Sequence, residues 1–336
     1  MKKLIIAVSF FVITSVFMGG IGHAKVIKLR LAHYFSPGYA YAVGYDKFAK
    51  EVEKRTNGRV KITIYPAGQL VSAKGSFDAV STGAIEIGHV TDAYFEGKVP
   101  LVGIVWLPFL FDDLRVMRSA VDKILPIIQR EEFDPVGIKI IAACHAGWVT
   151  FGSNVKTPRL PEDLKGQKIR ASAWSTSKLV KATGAAPVGG IPSGELYMAM
   201  QRGVVDGWAI PWASSGARKL HEVTKYGLVA PMQCSMGYTC MNMKAWKSLP
   251  ADIKNIIQNT AREIIELEEW FLITPAASAD GIKKAEAAGA KVHYITSQEI
   301  EAWRELSRPI YEEWLQKLPK KKRPIAKEMI DICIGK

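Results

Sequence analysis

The chain has 336 residues, and its 45 lysines and arginines exceed its 32 aspartates and glutamates, which gives a formal net charge of +13. This length exceeds the size at which a single hydrophobic core usually divides, so we expect two lobes. The cationic residues are scattered along the chain, which argues against a nucleic-acid-binding protein. A positive surface of this kind attracts anionic solutes or is simply solvated.

The N-terminus has the pattern of an export signal. Lys2 and Lys3 precede an apolar run over Leu4–Met18, and Gly22–Ala24 offers small residues at a cleavage site. The run is shorter than the roughly 20 residues that a bilayer-spanning helix needs. We therefore predict a signal peptide over residues 1–24, cleaved near Ala24, and a periplasmic mature protein without nucleic-acid partners. An uncleaved membrane anchor is the alternative.

The first third of the mature chain predicts alternating strands and helices. Apolar and polar residues alternate in the first segment, and Asn57-Gly58 ends the first helix. The predicted elements are a strand over Val26–Ala32, a helix over Val43–Thr56, a strand in RVKITIYP, a helix over Ser76–Thr82 and a strand in AIEIGHV. This order is typical of a doubly wound α/β lobe, in which ligands bind at the carboxyl ends of the strands.

The remaining chain predicts a second lobe and a long helix. IKIIAACHAG indicates a strand that crosses into a second α/β unit, whose residues 161–211 read PEDLKGQKIRASAWSTSKLVKATGAAPVGGIPSGELYMAMQRGVVDGWAIP. Residues 250–288 are strongly helical, with a break expected at Thr274-Pro275. At about 1.5 Å per residue this helix is long enough to lie along both lobes.

These segments resemble the solute-binding subunits of tripartite ATP-independent periplasmic (TRAP) transporters, of the C4-dicarboxylate-binding-protein type. The resemblance is strongest in DLKGQKIR and GVVDG, extends to the long helix and to AGAKVHYITSQEIEAWRELSRPIYEEW, and covers residues 25 to about 315. It implies an α/β, two-lobed periplasmic solute-binding fold with a long helix that spans both lobes. It also implies that Arg170, at the end of the KIR strand, binds the carboxylate of the ligand.

The resemblance suggests how the chain divides. We expect one lobe from residues 25–147 with about 236–274, and the other from residues 148–235 with about 275–310. Residues 311–336 would form a C-terminal helix and a basic tail, in which we expect Lys320–Arg323 to be loose and solvated.

Arg170 is the first candidate ligand-binding residue, because arginine holds a carboxylate through two parallel hydrogen bonds. From the pattern alone, a surface ion pair explains this arginine equally well. Related chains often have a polar Q-E-N run after the DG of GVVDG, but Trp208, Ala209 and Ile210 occupy those positions here. This departure favours a monocarboxylate with an apolar or aromatic body. A C4-dicarboxylate is the alternative if a second cationic or amide group faces the cleft.

Further candidates are aromatic and polar side chains near predicted strand ends. Aromatic walls stack on flat ligands and exclude water, although ordinary core packing explains any single one of them. These candidates are Tyr34, Phe35, His89, Thr91, Asp92, Trp148, Trp174, Trp208, Trp212, Tyr238 and Asn242.

No pattern of catalytic, cofactor-binding or metal-binding residues stands out. Ser193 lacks the glycine that a nucleophile elbow requires, and His221-Glu222 lacks the second histidine of a zinc helix. We therefore expect no cofactor, no metal and no enzymatic activity. The four cysteines (Cys144, Cys234, Cys240 and Cys333) are expected to be isolated buried thiols, with a Cys234–Cys240 disulfide as the alternative.

Together these patterns predict a periplasmic protein that captures a small organic carboxylate between two lobes, through Arg170, and delivers it to a TRAP membrane transporter. Two other functions remain open from the sequence. One is a ligand sensor for a receptor kinase, and the other is an enzyme that acts on a carboxylic acid.

Overall fold

The computed structural model describes residues 26–37 and 39–336, so the predicted signal peptide and its cleavage site lie outside the described residues. The strands in this part of the chain are β1 (Ile27–Ala32), β2 (Val60–Tyr65), β3 (Ile87–Thr91), β4 (Ile138–Ser153), β5 (Lys168–Arg170), β6 (Ala186–Val188), β7 (Gly207–Pro211), β8 (Tyr226–Val229), β9 (Gln233–Asn242) and β10 (Lys291–Tyr294).

The α-helices of the described residues are α1 (Ala40–Arg55), α2 (Ser76–Thr82), α3 (Leu114–Ile128), α4 (Trp174–Ala182), α5 (Leu196–Gln201), α6 (Trp212–Ala217), α7 (Met243–Ser248), α8 (Ala251–Ala261), α9 (Thr274–Ala287), α10 (Ser297–Lys317) and α11 (Arg323–Cys333). Two further segments, Gln129–Phe133 and Arg262–Ile273, are π-helical. None of the helices in these described ranges combines the length and hydropathy needed to cross a bilayer.

The strands form two α/β lobes that share β4 and β9. The continuous strand order is β2-β1-β3-β9-β4-β7-β5-β6, and β8 pairs with both β4 and β10. Strands β1, β2 and β3 are parallel to one another, as are β5, β6 and β7, whereas β4 and β9 are antiparallel to their neighbours. The two-lobed α/β fold predicted from the sequence is therefore present, and the carboxyl ends of β3 and β5 face each other across the cleft.

A long helical run links the lobes. Helix α8, the π-helical segment Arg262–Ile273 and α9 follow one another directly, so the break expected at Thr274-Pro275 is wrong. Ile273 keeps right-handed helical angles (φ −74°, ψ −50°), and Pro275 lies in the first turn of α9. The helical pattern changes from π to α next to this proline, whose missing N–H removes one donor from the hydrogen-bond ladder at the junction.

Buried charges fix the π-helical segment to the first lobe. The carboxylate of Glu266 accepts hydrogen bonds from the backbone N–H of Ala143 on β4 (3.0 Å) and from Nη2 of Arg118 on α3 (3.1 Å). The guanidinium of Arg118 also lies 5.1 Å from the ring centre of Trp270. Because breaking a buried ion pair costs several kcal/mol, this contact holds the segment in register.

The C-terminus is ordered, which corrects the expectation of a loose basic tail. Ala326, Met329 and Cys333 of α11 are buried, and α11 packs against α3. The ammonium of Lys322 is 2.6 Å from a carboxylate oxygen of the buried Glu132. The lobe boundaries stay predictions. Helix α10 runs without interruption through residue 310, where the second lobe was expected to end.

The four cysteines form no disulfide. Cys234 and Cys240 lie on the single strand β9, and all four cysteines are buried without disulfides. At about 3.4 Å per residue, six residues of extended strand separate two positions by roughly 20 Å, well beyond disulfide reach. The alternative of a Cys234–Cys240 bridge is therefore wrong.

Helices α6 and α9 approach closely at two glycines. A Cβ atom on Gly281 would lie 2.3 Å from the carbonyl oxygen of Trp212, and one on Gly216 would lie 2.8 Å from the Cα of Gly281. The obstructing atoms belong to backbone, so they cannot move aside alone. This contact sets the position of α6 relative to the long helix.

Replacement of Gly281 by alanine should therefore destabilise the protein. We expect a net loss of about 1–2 kcal/mol in the free energy of unfolding measured with urea. Overpacking against backbone atoms costs about 2–3 kcal/mol here, and the gain in helix propensity offsets about 1 kcal/mol of it. Gly97→Ala is the control, because its Cβ would meet no atom within 4 Å. Equal stability of the two variants would contradict this packing argument.

Candidate functional site

A cavity lies between the lobes, at the carboxyl ends of β3 and β5. The empty space within it, including the part open to solvent at its mouth, totals about 530 Å³. Its lining residues are Tyr34, Phe35, Tyr39, Tyr41, His89, Thr91, Ala93, Tyr94, Trp106, Ala146, Arg170, Ser172, Ser193, Ala209, Ile210, Pro211, Ser214, Arg218, Ser235 and Gly237.

Arg170 is the buried cation of this cavity. It ends β5, a strand paired on one side with β6 and on the other with β7, and the residue is only 2% exposed. Its Nε and Nη2 atoms donate to the carbonyl oxygen of Ile191 (3.2 and 3.0 Å), and Nη2 also lies 3.4 Å from Oγ of Ser193. These contacts orient the guanidinium without neutralising it.

Among the described residues, no carboxylate forms an ion pair with Arg170. Burial lowers the pKa of this guanidinium; the nearby Tyr94 opposes that shift, and the positive charge of Arg218 adds to it. A buried charge without a partner is costly, and an arginine has further N–H groups with which to hold an anion. The cavity is therefore suited to a bound carboxylate.

Packed aromatic rings form the wall that the first lobe contributes. Phe35 stacks on Tyr39 with ring centres 4.6 Å apart and an interplanar angle of 5°, and it lies 4.5 Å from the ring centre of Tyr34. Tyr94 meets Tyr34 edge to face at 6.2 Å. These rings brace one another, so the wall presents a fixed, largely apolar surface to a ligand.

A chain of polar side chains connects this wall to the core. His89 bonds through Nδ1 to the hydroxyl of Tyr45 (2.6 Å) and through Nε2 to Oγ1 of Thr91 (3.1 Å), which in turn contacts the hydroxyl of Tyr34. Gly237 makes room for the imidazole, because a Cβ there would lie 2.3 Å from Cε1 of His89. Burial lowers the pKa of His89 to about 3 and raises the pKa of Tyr34 well above its usual value. Both side chains are therefore neutral at physiological pH.

Several contacts cross the cleft, so the structure is a closed form. The hydroxyl of Tyr39 is 3.0 Å from Oγ of Ser214, and that of Tyr94 is 3.3 Å from Oγ of Ser193. Outside the cavity lining, the carboxylate of Glu96 accepts a hydrogen bond from the backbone N–H of Trp174 at the start of α4 (2.7 Å).

A second arginine faces the same cavity. Arg218 follows α6, is half-buried, and places its guanidinium 5.6 Å from the ring centre of Tyr39. Its Nη1 donates to the carbonyl oxygen of Ser214 (3.0 Å). The condition that the sequence left open for a dicarboxylate, a second cationic group at the cleft, is therefore met.

Five of the residues singled out from the sequence line the cavity: Tyr34, Phe35, His89, Thr91 and Arg170. Seven others do not line it: Asp92, Trp148, Trp174, Trp208, Trp212, Tyr238 and Asn242. Of the apolar segment that follows GVVDG, Ala209, Ile210 and Pro211 reach the cavity, whereas Trp208 does not.

Trp208 and Trp212 pack in the core of the second lobe. Trp208 is fully buried, its Nε1 donates to Oγ1 of Thr224 (3.0 Å), and its ring fills the space over Gly152. Trp212 donates from Nε1 to the carbonyl oxygen of Leu228 (2.8 Å) and meets Trp208 edge to face. Both rings are thus fixed by contacts within the second lobe, and neither lines the ligand cavity.

The other two tryptophans point outward. A bulge between His145 and Trp148, with Gly147 at φ 101°, breaks the alternation of β4 and directs Trp148 into a separate groove. The ring of Trp174 lies under the ammonium groups of Lys178 and Lys317 (5.3 and 4.9 Å).

The remaining three residues support the strands. Asp92 is fully buried, accepts hydrogen bonds from the backbone N–H groups of Ala93 and Met236 (both 2.8 Å), and has a pKa raised by burial. Tyr238 packs between aromatic rings, 5.6 Å from Phe133. Asn242 caps α7 from the end of β9. Because β9 runs antiparallel to β3, that end lies at the sheet edge opposite the cleft.

Sequence reasoning missed the serines of the second lobe, Tyr39, Tyr41, Tyr94, Trp106 and Arg218. The aromatic residues after β1 had a usable signal, since they follow a strand that ends at the cleft. Arg218 had none, because it lies one helix beyond β7. Among the described residues, no group of histidine, cysteine, aspartate or glutamate side chains is placed to hold a metal ion.

Known proteins share this two-lobed architecture. A TRAP periplasmic solute-binding protein from Desulfovibrio salexigens, crystallised with bound orotic acid, is 29% identical and superposes with a TM-score of 0.84, covering 92% of this chain and 99% of its own. A solute-binding protein of Albidiferax ferrireducens is 30% identical over 298 residues, which are 85% of this chain and 86% of that protein. The C4-dicarboxylate-binding periplasmic protein DctP of Rhodobacter capsulatus is 27% identical over 88% of both chains.

The profile of the bacterial extracellular solute-binding proteins, family 7, matches residues 31–317. The chain therefore belongs to this family of extracytoplasmic TRAP solute-binding subunits, whose members bind solutes and are not enzymes. The resemblance inferred from DLKGQKIR and GVVDG is confirmed.

Trp208→Ala tests whether this ring is a core element. We expect a loss of about 3–5 kcal/mol in the free energy of unfolding, because the substitution leaves a large cavity over Gly152. Trp174→Ala, at a half-buried ring, should cost less in the same urea titration. A loss below 1 kcal/mol at Trp208 would contradict its placement in the core.

The pKa of His89 gives a second test. Because it is lowered from 6.5 to about 3 in the folded protein, the unfolded chain takes up its proton first as the pH falls below 6.5. His89 should thus remove about 2 kcal/mol of stability between pH 7 and pH 5. Urea unfolding of wild type and His89→Gln at both pH values measures this, and the variant should lose less stability on acidification.

Equal losses in the two proteins would contradict the neutral state of His89. An NMR titration gives the same information directly: its imidazole signals should not shift between pH 5.5 and 8.5, and a midpoint near 6.5 would contradict the structure.

Proposed function

We propose that this chain binds a small organic carboxylate with a flat or apolar body in its interlobe cavity, through a salt bridge to Arg170, and delivers it to TRAP membrane subunits. The proposal includes export to the periplasm with cleavage near Ala24. The observation that supports it most strongly is the buried guanidinium of Arg170, which faces the cavity and has no carboxylate partner among the described residues.

The walls of the cavity support the flat or apolar body. Stacked aromatic rings form one side, and Ala209, Ile210 and Pro211 contribute to the other. Orotic acid, bound by the Desulfovibrio salexigens relative, is a flat carboxylic acid, so a ligand of that shape has a precedent in the family.

The charge of the ligand is a separate question. The preference for a monocarboxylate was inferred from the apolar residues after GVVDG. Trp208, one of these residues, lies in the core and therefore gives no argument for this preference. Arg218 adds a second cation at the cavity, and the Rhodobacter capsulatus relative is named for C4-dicarboxylates. The proposed class is therefore small carboxylates with a compact, flat or apolar skeleton.

Closure would couple binding to delivery. A ligand that binds the closed form better than the open form shifts the population towards closure, and the amount of the shift equals its differential affinity. The contacts Tyr39–Ser214, Tyr94–Ser193 and Glu96–Trp174 cross the cleft only when it is shut. Membrane subunits that recognise the closed form would then receive loaded protein.

The test is ligand binding by protein that lacks residues 1–24, stripped of co-purified ligand by unfolding and refolding. Thermal shifts against aromatic acids, keto acids, C4-dicarboxylates, sugar acids and uncharged sugars identify the class, since a ligand at 100 times its Kd adds about 2.7 kcal/mol. Arg170→Gln should weaken the best carboxylate by about 2–5 kcal/mol in calorimetry.

Two controls make this result specific. Arg202→Gln removes an exposed positive charge that does not line the cavity, and it should bind like wild type. Ligand-free Arg170→Gln should melt no earlier than wild type, because it loses an unpaired buried charge. Binding of uncharged sugars alone, or full carboxylate affinity in Arg170→Gln, would overturn the proposal.

A further inference from the structure

Arg218 is held in place by residues from both sides of the cleft. Its Nη1 donates to Ser214 in its own helix, and its guanidinium packs on the ring of Tyr39, which follows β1 in the opposite lobe. Tyr39 is itself stacked on Phe35 and hydrogen-bonded to Oγ of Ser214. This arrangement exists only when the lobes are together, because Tyr39 and Arg218 belong to different lobes.

The guanidinium of Arg218 retains most of its capacity to bind an anion. An arginine has five N–H donors, and a single one of those of Arg218 has a protein acceptor among the described residues. No carboxylate in the described ranges forms an ion pair with it. Stacking on an aromatic ring leaves the edge of the guanidinium open, which is the edge that binds carboxylates.

Two uncompensated cations at one cavity affect closure. They repel each other in a low-dielectric site, so the empty closed form is disfavoured. One carboxylate on Arg170 leaves a net positive charge, whereas a ligand with two negative oxygens at separate positions compensates both. Such a ligand gains its second contact only in the closed form, which adds to its differential affinity for closure.

Building on the proposed function, we propose that Arg218 is a second anion-binding residue, assembled by closure against Tyr39, which selects small carboxylates with a second negatively charged group over their singly charged counterparts.

Matched ligand pairs test this selection. Isothermal titration calorimetry would compare succinate with succinamate, and isophthalate and terephthalate with their monoamides, since each pair has nearly the same shape and differs by one charge. For the best pair, we expect wild type to bind the diacid roughly 10- to 100-fold more tightly, the value of one charge-assisted hydrogen bond.

Variants assign the selection to Arg218. Arg218→Gln should remove the preference for the diacid while leaving the affinity for the monoamide within about two-fold. Arg218→Lys should retain part of the preference, because it keeps the charge and loses the planar fork. Tyr39→Leu should reduce the preference and Tyr39→Phe should keep it, because the ring positions the guanidinium. Arg202→Gln is the control for general charge.

Three results would overturn the inference: equal binding of diacids and monoamides by wild type, an unchanged preference in Arg218→Gln, or equal weakening of both ligands in that variant. The last would mean that Arg218 acts on closure alone. Failure of the proposed function looks different, because then no carboxylate binds or Arg170→Gln has no effect.

Discussion

The cleft depends on one buried charge that no carboxylate of the described residues compensates. Arg170 is withdrawn from water at the end of β5 and held by a carbonyl oxygen and a hydroxyl, neither of which supplies a negative charge. Its polar contacts therefore fix the direction of the guanidinium and leave the electrostatic cost of its burial uncompensated. In the proposed function, an anionic ligand would supply the missing counter-ion.

Shared elements connect the parts of the scaffold that surround this charge. Strand β4 contacts β9 over its first part and β7 over its last, so one continuous strand belongs to both lobes. The long helix adds a second connection, fixed to the first lobe by Glu266 and to α6 by the Gly216–Gly281 contact. Part of the π-helical segment lies between these two attachments.

The sequence predicted the fold well because its signals are local. The alternation in β1 and β2, the glycine after α1 and the KIR strand can each be recognised from neighbouring residues. Arg170 was predicted as a ligand-binding residue because it ends a strand and because its segment resembles the family. The four tryptophans predicted to line the cleft do not line the cavity, and the reason lies in tertiary packing. Trp208 directly precedes Ala209, which lines the cavity, yet its ring fills the space that Gly152 leaves. Arg218 could not be found, since only packing of α6 on α9 brings it to the cleft.

The electrostatics of the cavity are set by groups that do not titrate near neutral pH. His89 is neutral because burial lowers its pKa to about 3, and burial keeps the hydroxyl of Tyr34 protonated. Arginine keeps its charge throughout this range. A histidine or lysine in place of Arg170 or Arg218 would make affinity depend on external pH, since both shift their pKa when buried. Under the functions proposed above, two arginines would instead make the site respond to the number and position of negative charges on the ligand.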